Sequence, residues 1–253
     1  MIARPNWTDQ EIEDFARDHA DRAKALIGDW VLADVDEHAV EWIPSRWERR
    51  VVVGVLPEPL CRKGRISRRD LFDLADQVTE RSGDSTAAAL LIGVVAWGSG
   101  KGVRRAGLSD GDPRGPWRAQ QALTIPSPAE AIRRIRQAVE ITKREGGQAA
   151  YEALSQGGCA KLTAMGESFF TKLIYVSGHR AATTPDPRPL ILDANVRKAL
   201  VRKGGILKDG EWTLYRAPRA YGEYLLIAQT WAKLWNMQPH QVEYALFTFG
   251  KRL

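Results

Sequence analysis

The residues whose types and spacing could do chemistry lie between positions 157 and 200. A tight turn over 162–166 separates two helical patterns, and the second helix is predicted to begin near Glu167. Because Gly166 can adopt backbone angles that other residues avoid, amide groups of this turn could point outward. Free amides at a helix start bind a phosphate without side-chain charge. The turn therefore predicts a phosphate-binding site.

Asp193 follows three apolar residues and precedes a helical pattern over 194–203. Aspartate in this position is a strong N-cap, so its carboxylate is held in a fixed direction. An ionised carboxylate can stabilise the oxocarbenium-like positive charge that develops on a sugar when an N-glycosidic bond breaks. It can also orient or deprotonate an attacking water. The pattern predicts a catalytic role for Asp193, with a plain helix cap as the alternative.

These two features resemble a known superfamily. Leu162-Thr-Ala-Met-Gly166 resembles the hairpin of helix-hairpin-helix DNA glycosylases, which is usually Leu-Pro-Gly-Val-Gly. Leu190-Ile-Leu-Asp193-Ala-Asn-Val196 resembles the aspartate motif of that superfamily, in which Asp193 matches the catalytic residue. With the runs 169–175 and 242–250, the chain is most similar to bacterial proteins described as having an 8-oxoguanine-glycosylase-like fold. The resemblance implies a mainly α, two-lobed fold with at most a small β element, and a target base flipped from the duplex.

Three departures from the family pattern affect the predicted chemistry. Ala164 replaces the first hairpin glycine, and an insert over 179–189 lengthens the chain between the hairpin and Asp193. Ser168 stands where bifunctional members carry a Schiff-base lysine, so the resemblance implies hydrolysis by water that leaves an abasic site. Lys172 lies one turn further along the same predicted helix face and is the reserve candidate for that lysine.

Basic residues are expected to hold the DNA backbone. An apolar helix ends at Trp97 in a glycine-rich loop, and Trp97 is predicted to lie near the base pocket. In and after the hairpin, Ala164, Gly166 and Ser168 are predicted to contact the DNA backbone. Positive side chains are predicted to contact further phosphates: Lys101, Arg104, Arg105, Arg197 and Lys198. The alternative for the charged residues is a solvated loop and a solvated helix face.

Helix signals dominate the rest of the chain. Thr8 with Glu11, and Ser67 with Asp70, have capping-box spacing, while Ser127 is followed by a proline at the first helical position. Further helices are predicted at 86–97, 148–156, 167–177, 194–203, 217–236 and 239–249. A short β-branched strand is predicted at 51–56, and 212–215 is a second strand candidate. Glycine and proline over 98–126 and 178–189 predict two long loops.

Composition narrows the function classes. The 253-residue chain has a net charge of +6, which favours a polyanionic partner. Its two cysteines are too few for a disulfide framework or an iron–sulfur cluster, and its four histidines show no metal-ligand spacing. The first residues lead directly into charged residues, so we expect no secretory segment, and no apolar run has membrane-spanning length. We expect a cytoplasmic protein with no metal, no cofactor, no membrane contact and no obligate protein partner.

The sequence therefore predicts a single glycosylase-like domain over 1–253, with its hairpin and catalytic segment at 157–200. Its expected substrate is double-stranded DNA containing a modified base. The resemblance includes anti-phage glycosylases acting on glucosylated 5-hydroxymethylcytosine, and the two loops could shape a roomy pocket, so a bulky phage base is favoured. The alternatives are a repair glycosylase for 8-oxoguanine or another damaged base, and a DNA-binding module without catalysis.

Overall fold

A computed structural model describes residues 7–27, 35–44, 47, 60, 64–99, 114–202, 204–207, 212 and 214–253. Within these residues the fold is mainly helical, as predicted, with ten helices and one small two-stranded sheet. The division into two lobes and the single domain over 1–253 stay predictions.

The helices and strands follow one another in a simple order. The helices are α1 (Asp9–Ile27), α2 (Arg68–Gln77), α3 (Asp84–Ser99), α4 (Arg114–Thr124), α5 (Pro128–Glu145), α6 (Gly147–Leu154), α7 (Glu167–Gly178), α8 (Ala194–Val201), α9 (Pro218–Trp235) and α10 (Pro239–Gly250). Strands β1 (Ala39–Glu41) and β2 (Arg65–Ser67) pair antiparallel, with Val40 opposite Ile66.

Side-chain caps fix several helix starts as the sequence predicted. Ser67 and Asp70 form a reciprocal capping box at α2, and Ser127 accepts a hydrogen bond from the Glu130 amide at α5. At α1 the Thr8 amide donates to the Glu11 carboxylate at 2.6 Å. These local hydrogen bonds satisfy amides that have no partner within the helix.

Three predictions about loops and strands were wrong or lie outside the described residues. The predicted loop 98–126 contains helix α4, whereas 178–189 contains no helix beyond its first residue, as predicted. The predicted strand 51–56 lies outside the described residues. The described residues of 212–215 form no strand, and the small sheet consists of β1 and β2.

Helix α3 occupies the centre of the core. All residues from Ala87 to Trp97 are buried, and α3 packs against α2, α4, α5 and α7. A helix that is apolar on all sides needs such complete cover by neighbours. None of the helices in the described part of the chain has the length and apolarity needed to cross a membrane.

The C-terminal helix packs closely against the helix that follows Asp193. A Cβ atom on Gly250 would overlap the carbonyl oxygen of Asn195, so only glycine allows this separation of α10 and α8. This contact fixes the start of α8 relative to α10.

Candidate active site

Asp193 is the N-cap of α8, as predicted. Its Oδ1 atom accepts hydrogen bonds from the amides of Asn195 at 2.9 Å and Val196 at 3.1 Å. The backbone of Asp193 is extended, with φ −103° and ψ −177°, as is usual for a cap residue. These two bonds engage Oδ1 and thereby fix the direction in which the second oxygen, Oδ2, points.

Buried hydroxyl groups anchor the segment that leads to Asp193. The hydroxyl of Tyr221 donates to the carbonyl of Leu190 at 2.6 Å, and that of Tyr224 donates to Ile191 at 2.9 Å. The Leu192 amide donates to Thr171 Oγ1 on α7 at 3.1 Å. Since side chains 190–192 are also buried, the backbone before Asp193 has little freedom to move.

Lys172, the reserve candidate from the sequence, lies directly beside Asp193. Its Nζ is 3.3 Å from Asp193 Oδ2 and donates to the Ser168 carbonyl at 2.8 Å. The two side chains are 7% and 12% exposed, so this ion pair is largely withdrawn from water. Ser168 lies one turn before Lys172 on α7, and its backbone carbonyl helps to orient the lysine.

A glycine at the end of α3 makes room for the lysine. A Cβ on Gly98 would lie 2.9 Å from Cδ of Lys172 and 3.1 Å from Cε1 of Phe169. The absence of a side chain at position 98 therefore lets α3 cover the aliphatic part of Lys172. The Nζ of Lys172 also lies 5.8 Å from the ring centroid of Phe169.

A second buried ion pair, which sequence reasoning missed, supports this region. Arg68 Nη1 donates to Glu243 Oε2 at 2.8 Å and to the Tyr175 hydroxyl at 3.0 Å. The Arg68 and Glu243 side chains are 2% and 1% exposed. Burial raises the pKa of Glu243, and the positive charge of Arg68 is the main influence that lowers it. The charges of the other ion pair also act on this pKa: Asp193 raises it and Lys172 lowers it. The two ion pairs therefore lie within electrostatic reach of each other.

An aromatic group lies next to the second ion pair. It consists of His38, Trp97, Tyr244 and Phe247, with the ring centroid of His38 5.5 Å from Trp97 and 5.2 Å from Tyr244. The guanidinium of Arg68 lies over Trp97 and Tyr244. Burial, with the positive charge of Arg68, lowers the pKa of His38 to about 4, so its ring is neutral near pH 7.

The hairpin differs from the prediction in which residue is left-handed. Gly166 has an ordinary φ of −74° and caps α7, whereas Ala164 has a φ of +60°. The expectation that Gly166 uses backbone angles that other residues avoid is wrong, because an N-cap residue is extended and any residue can adopt that conformation. No side chain caps α7, and a Cβ on Gly166 would meet no atom within 4 Å. The start of α7 is therefore open to a ligand.

Of the five basic residues predicted to contact phosphates, the structure describes two, both on α8. Arg197 donates to Glu167 at 2.6 Å and to the Leu214 carbonyl, so its guanidinium is engaged within the protein. Lys198 is partly buried on α8. Lys101, Arg104 and Arg105 lie outside the described residues. Their role in binding phosphates stays a prediction.

Asp36, His179 and His240 are the described residues that could hold a metal ion. One ligand atom from each lies within 4.8 Å of the others, although their sequence spacing gave no sign of this. Arg180 Nη2 lies 3.6 Å from Asp36 Oδ2 and supplies positive charge there already. Burial, His240 and nearby arginines lower the pKa of His179 to about 3. The expectation of no metal stays a prediction.

Comparison with known proteins identifies the family. Residues 33–247 match the family model described as "Putative 8-oxoguanine DNA glycosylase OGG-like protein". No curated protein and no solved structure matches the chain. The family match covers the hairpin, Lys172 and Asp193, as well as α3 and most of α10. The chain therefore belongs to the OGG-like family of 8-oxoguanine DNA glycosylase proteins.

Proposed function

We propose that this protein is a DNA N-glycosylase that flips a modified base from the duplex and breaks its bond to the sugar. The observation that supports this most is the 3.3 Å contact between Lys172 Nζ and Asp193 Oδ2. It places an amine and a carboxylate together just after a hairpin with uncapped amides. A carboxylate can stabilise a sugar that becomes electron-deficient, an amine can protonate the leaving base or attack the sugar, and the amides can hold the neighbouring phosphate.

Asp193 is proposed to stabilise the positive charge on the sugar. The two amides on Oδ1 keep the carboxylate aimed in one direction before DNA binds. Such preorganisation lowers the barrier because the site does not reorganise while the bond breaks. The carboxylate can also accept a proton from an attacking water.

Two routes for the attacking group follow from Ser168 and Lys172. In the route predicted from Ser168, water adds to C1′, the base leaves with the electrons of the glycosidic bond, and an abasic site remains. In the second route, Lys172 gives a proton to the leaving base and its neutral amine bonds to C1′. Loss of a further proton and opening of the sugar then give a Schiff base, and elimination of the 3′ phosphate cuts the strand. The buried contact with Asp193 favours this second route.

Borohydride trapping separates the two routes. Wild-type protein, Lys172→Ala and the control Lys161→Ala are each incubated with borohydride and DNA that contains the substrate base. The covalent protein–DNA adducts of the three proteins are then compared. An adduct that is lost only in Lys172→Ala supports the lysine route. Intact abasic sites without an adduct support hydrolysis. DNA binding with no base release from any substrate would instead mean a non-catalytic DNA-binding module.

A bulky modified base is the favoured substrate. This rests on the resemblance to anti-phage glycosylases that act on glucosylated 5-hydroxymethylcytosine, while the family description names 8-oxoguanine. The aromatic group next to Arg68 offers rings against which a flipped base could stack, in keeping with a pocket near Trp97. Mass spectrometry of bases released from genomic and phage DNAs tests the choice. Release of 8-oxoguanine alone would favour a repair enzyme.

A further inference from the structure

Trp117 is the most exposed large apolar side chain in the described part of the chain, at 52%. It lies on α4, whose residues Ala119, Ala122 and Leu123 are buried. At 100° per residue, those three lie on the side of the helix opposite Trp117. Trp117 therefore lies on the face of α4 that is turned away from the core.

Helix α4 lies beside the hairpin. Arg118 Nε donates to the Ala164 carbonyl at 3.2 Å, and Thr163 Oγ1 donates to the Ile125 carbonyl at 3.4 Å. These bonds tie both the first half of α4 and the residue after it to the turn that precedes α7. Trp117 directly precedes Arg118 and therefore lies on the helix that borders the hairpin.

The same helix is connected to Lys172. The guanidinium carbon of Arg118 lies 4.1 Å from the ring centroid of Phe169, which also lies near Lys172 Nζ. A Cβ on Gly115 would lie 2.9 Å from Ser99 Oγ, so the start of α4 packs against the end of α3. Since Gly98, the neighbour of Ser99, packs against Lys172, the start of α4 lies next to the part of α3 that covers the lysine.

The composition of α4 and of the residues after it suits a polyanionic partner. Residues 114–127 include two arginines and no carboxylate. A flipped nucleotide leaves an unstacked gap in the duplex, and proteins that distort DNA often insert apolar side chains between bases. Stacking of a base on an aromatic ring is favourable for every base, because each has a π face.

We propose that Trp117 stacks in the duplex at the gap left by the flipped nucleotide. This inference rests on the proposed function, because it assumes that a base is extruded at the Lys172–Asp193 pair. Trp117 then stabilises the opened duplex and has no part in breaking the bond. A single-stranded substrate has no gap to fill, so its cleavage does not depend on Trp117.

The test compares duplex and single-stranded oligonucleotides that carry 8-oxoguanine or glucosylated 5-hydroxymethylcytosine. Single-turnover base release is measured for wild type, Trp117→Ala, Trp117→Phe and the control Leu234→Ala, which removes another exposed apolar side chain, 51% exposed, on α9. Trp117→Ala is expected to slow release from the duplex by roughly 5- to 100-fold, with little change on the single strand. Trp117→Phe should recover most of the loss, and Leu234→Ala should resemble wild type.

Equal losses on both substrates, or no loss on either, would overturn the role of Trp117. If wild type releases neither base, that result counts against these two substrates for the proposed function and not against Trp117. Trp117 is then tested by binding to a duplex with a tetrahydrofuran abasic site and to the intact duplex. A preference for the abasic duplex that Trp117→Ala removes supports stacking, and an unchanged preference overturns it.

Discussion

The two oxygens of Asp193 have different partners: Oδ1 accepts hydrogen bonds from amides of α8, whereas Oδ2 lies 3.3 Å from Nζ of Lys172. One carboxylate thus caps a helix and pairs with an amine on another helix. The capping role and the catalytic role are compatible, because each uses a separate oxygen. Substitutions at this position can therefore separate folding from chemistry.

Asp193→Asn is expected to reduce base release by at least about 100-fold while preserving folding and DNA affinity. The amide side chain keeps an oxygen that can accept the capping hydrogen bonds, but it lacks the negative charge. Base release is measured with alkali-revealed strand breaks, and folding by circular dichroism. Asp186→Asn, in the exposed part of the 178–189 segment, is the control. Retention of more than a few per cent of wild-type release would exclude Asp193 as the catalytic carboxylate.

Glu243→Gln is expected to lower the free energy of unfolding by about 3–5 kcal/mol, because it leaves the charge of Arg68 buried without its counter-charge. The Arg68–Glu243 pair is almost fully buried, so water cannot replace the lost interaction. Urea denaturation measures the change. Glu145→Gln removes an exposed carboxylate paired with Arg144 and should change stability by less than about 0.5 kcal/mol. Similar small effects in both variants would show that the buried pair contributes little.

Ala164→Gly is expected to stabilise the protein by about 0.5–1 kcal/mol. At a φ of +60° alanine has a steric strain that glycine avoids. We expect the relief of this strain to exceed the destabilising effect of glycine, which makes the unfolded chain more flexible. The matched variant Gly166→Ala should leave stability nearly unchanged, since its backbone is ordinary and its surroundings are open. It should weaken DNA binding instead, because a methyl group enters the space proposed for a phosphate. Thermal melts and fluorescence anisotropy test the pair, and destabilisation by Ala164→Gly would contradict the reasoning.

Lys101→Ala and Arg104→Ala are each expected to make the dependence of log K on log salt shallower by about 0.9, because each phosphate contact releases condensed counterions. The choice of base should not change, since phosphate contacts carry no sequence information. Anisotropy across a salt series on one modified duplex measures the slope. Arg133→Ala, at an arginine paired with Glu130 on α5, is the control. Unchanged slopes in both variants would place the DNA backbone elsewhere on the surface.

Local signals predicted most helices and the cap at Asp193, because capping and hydrophobic spacing depend on neighbouring residues. Helix α4 was missed because Gly115 and Pro116 resemble loop residues. Proline is tolerated in the first turn of a helix, where its missing amide hydrogen would have no intrahelical partner. Lys172 was named only as the reserve candidate for the Schiff-base lysine, and its contact with Asp193 was not predicted, since it depends on how α7 packs against 190–192. The Arg68–Glu243 pair joins residues far apart in the chain and has no local signature.

The close approach of α10 to α8 has a consequence for genetic screens. Gly250 takes no part in the proposed chemistry, yet any side chain there must displace Asn195, two residues after the proposed catalytic carboxylate. A selection for inactive alleles should therefore recover substitutions at Gly250 alongside those at Asp193. Such alleles would be mistaken for active-site lesions by phenotype, although they alter only the spacing of two helices.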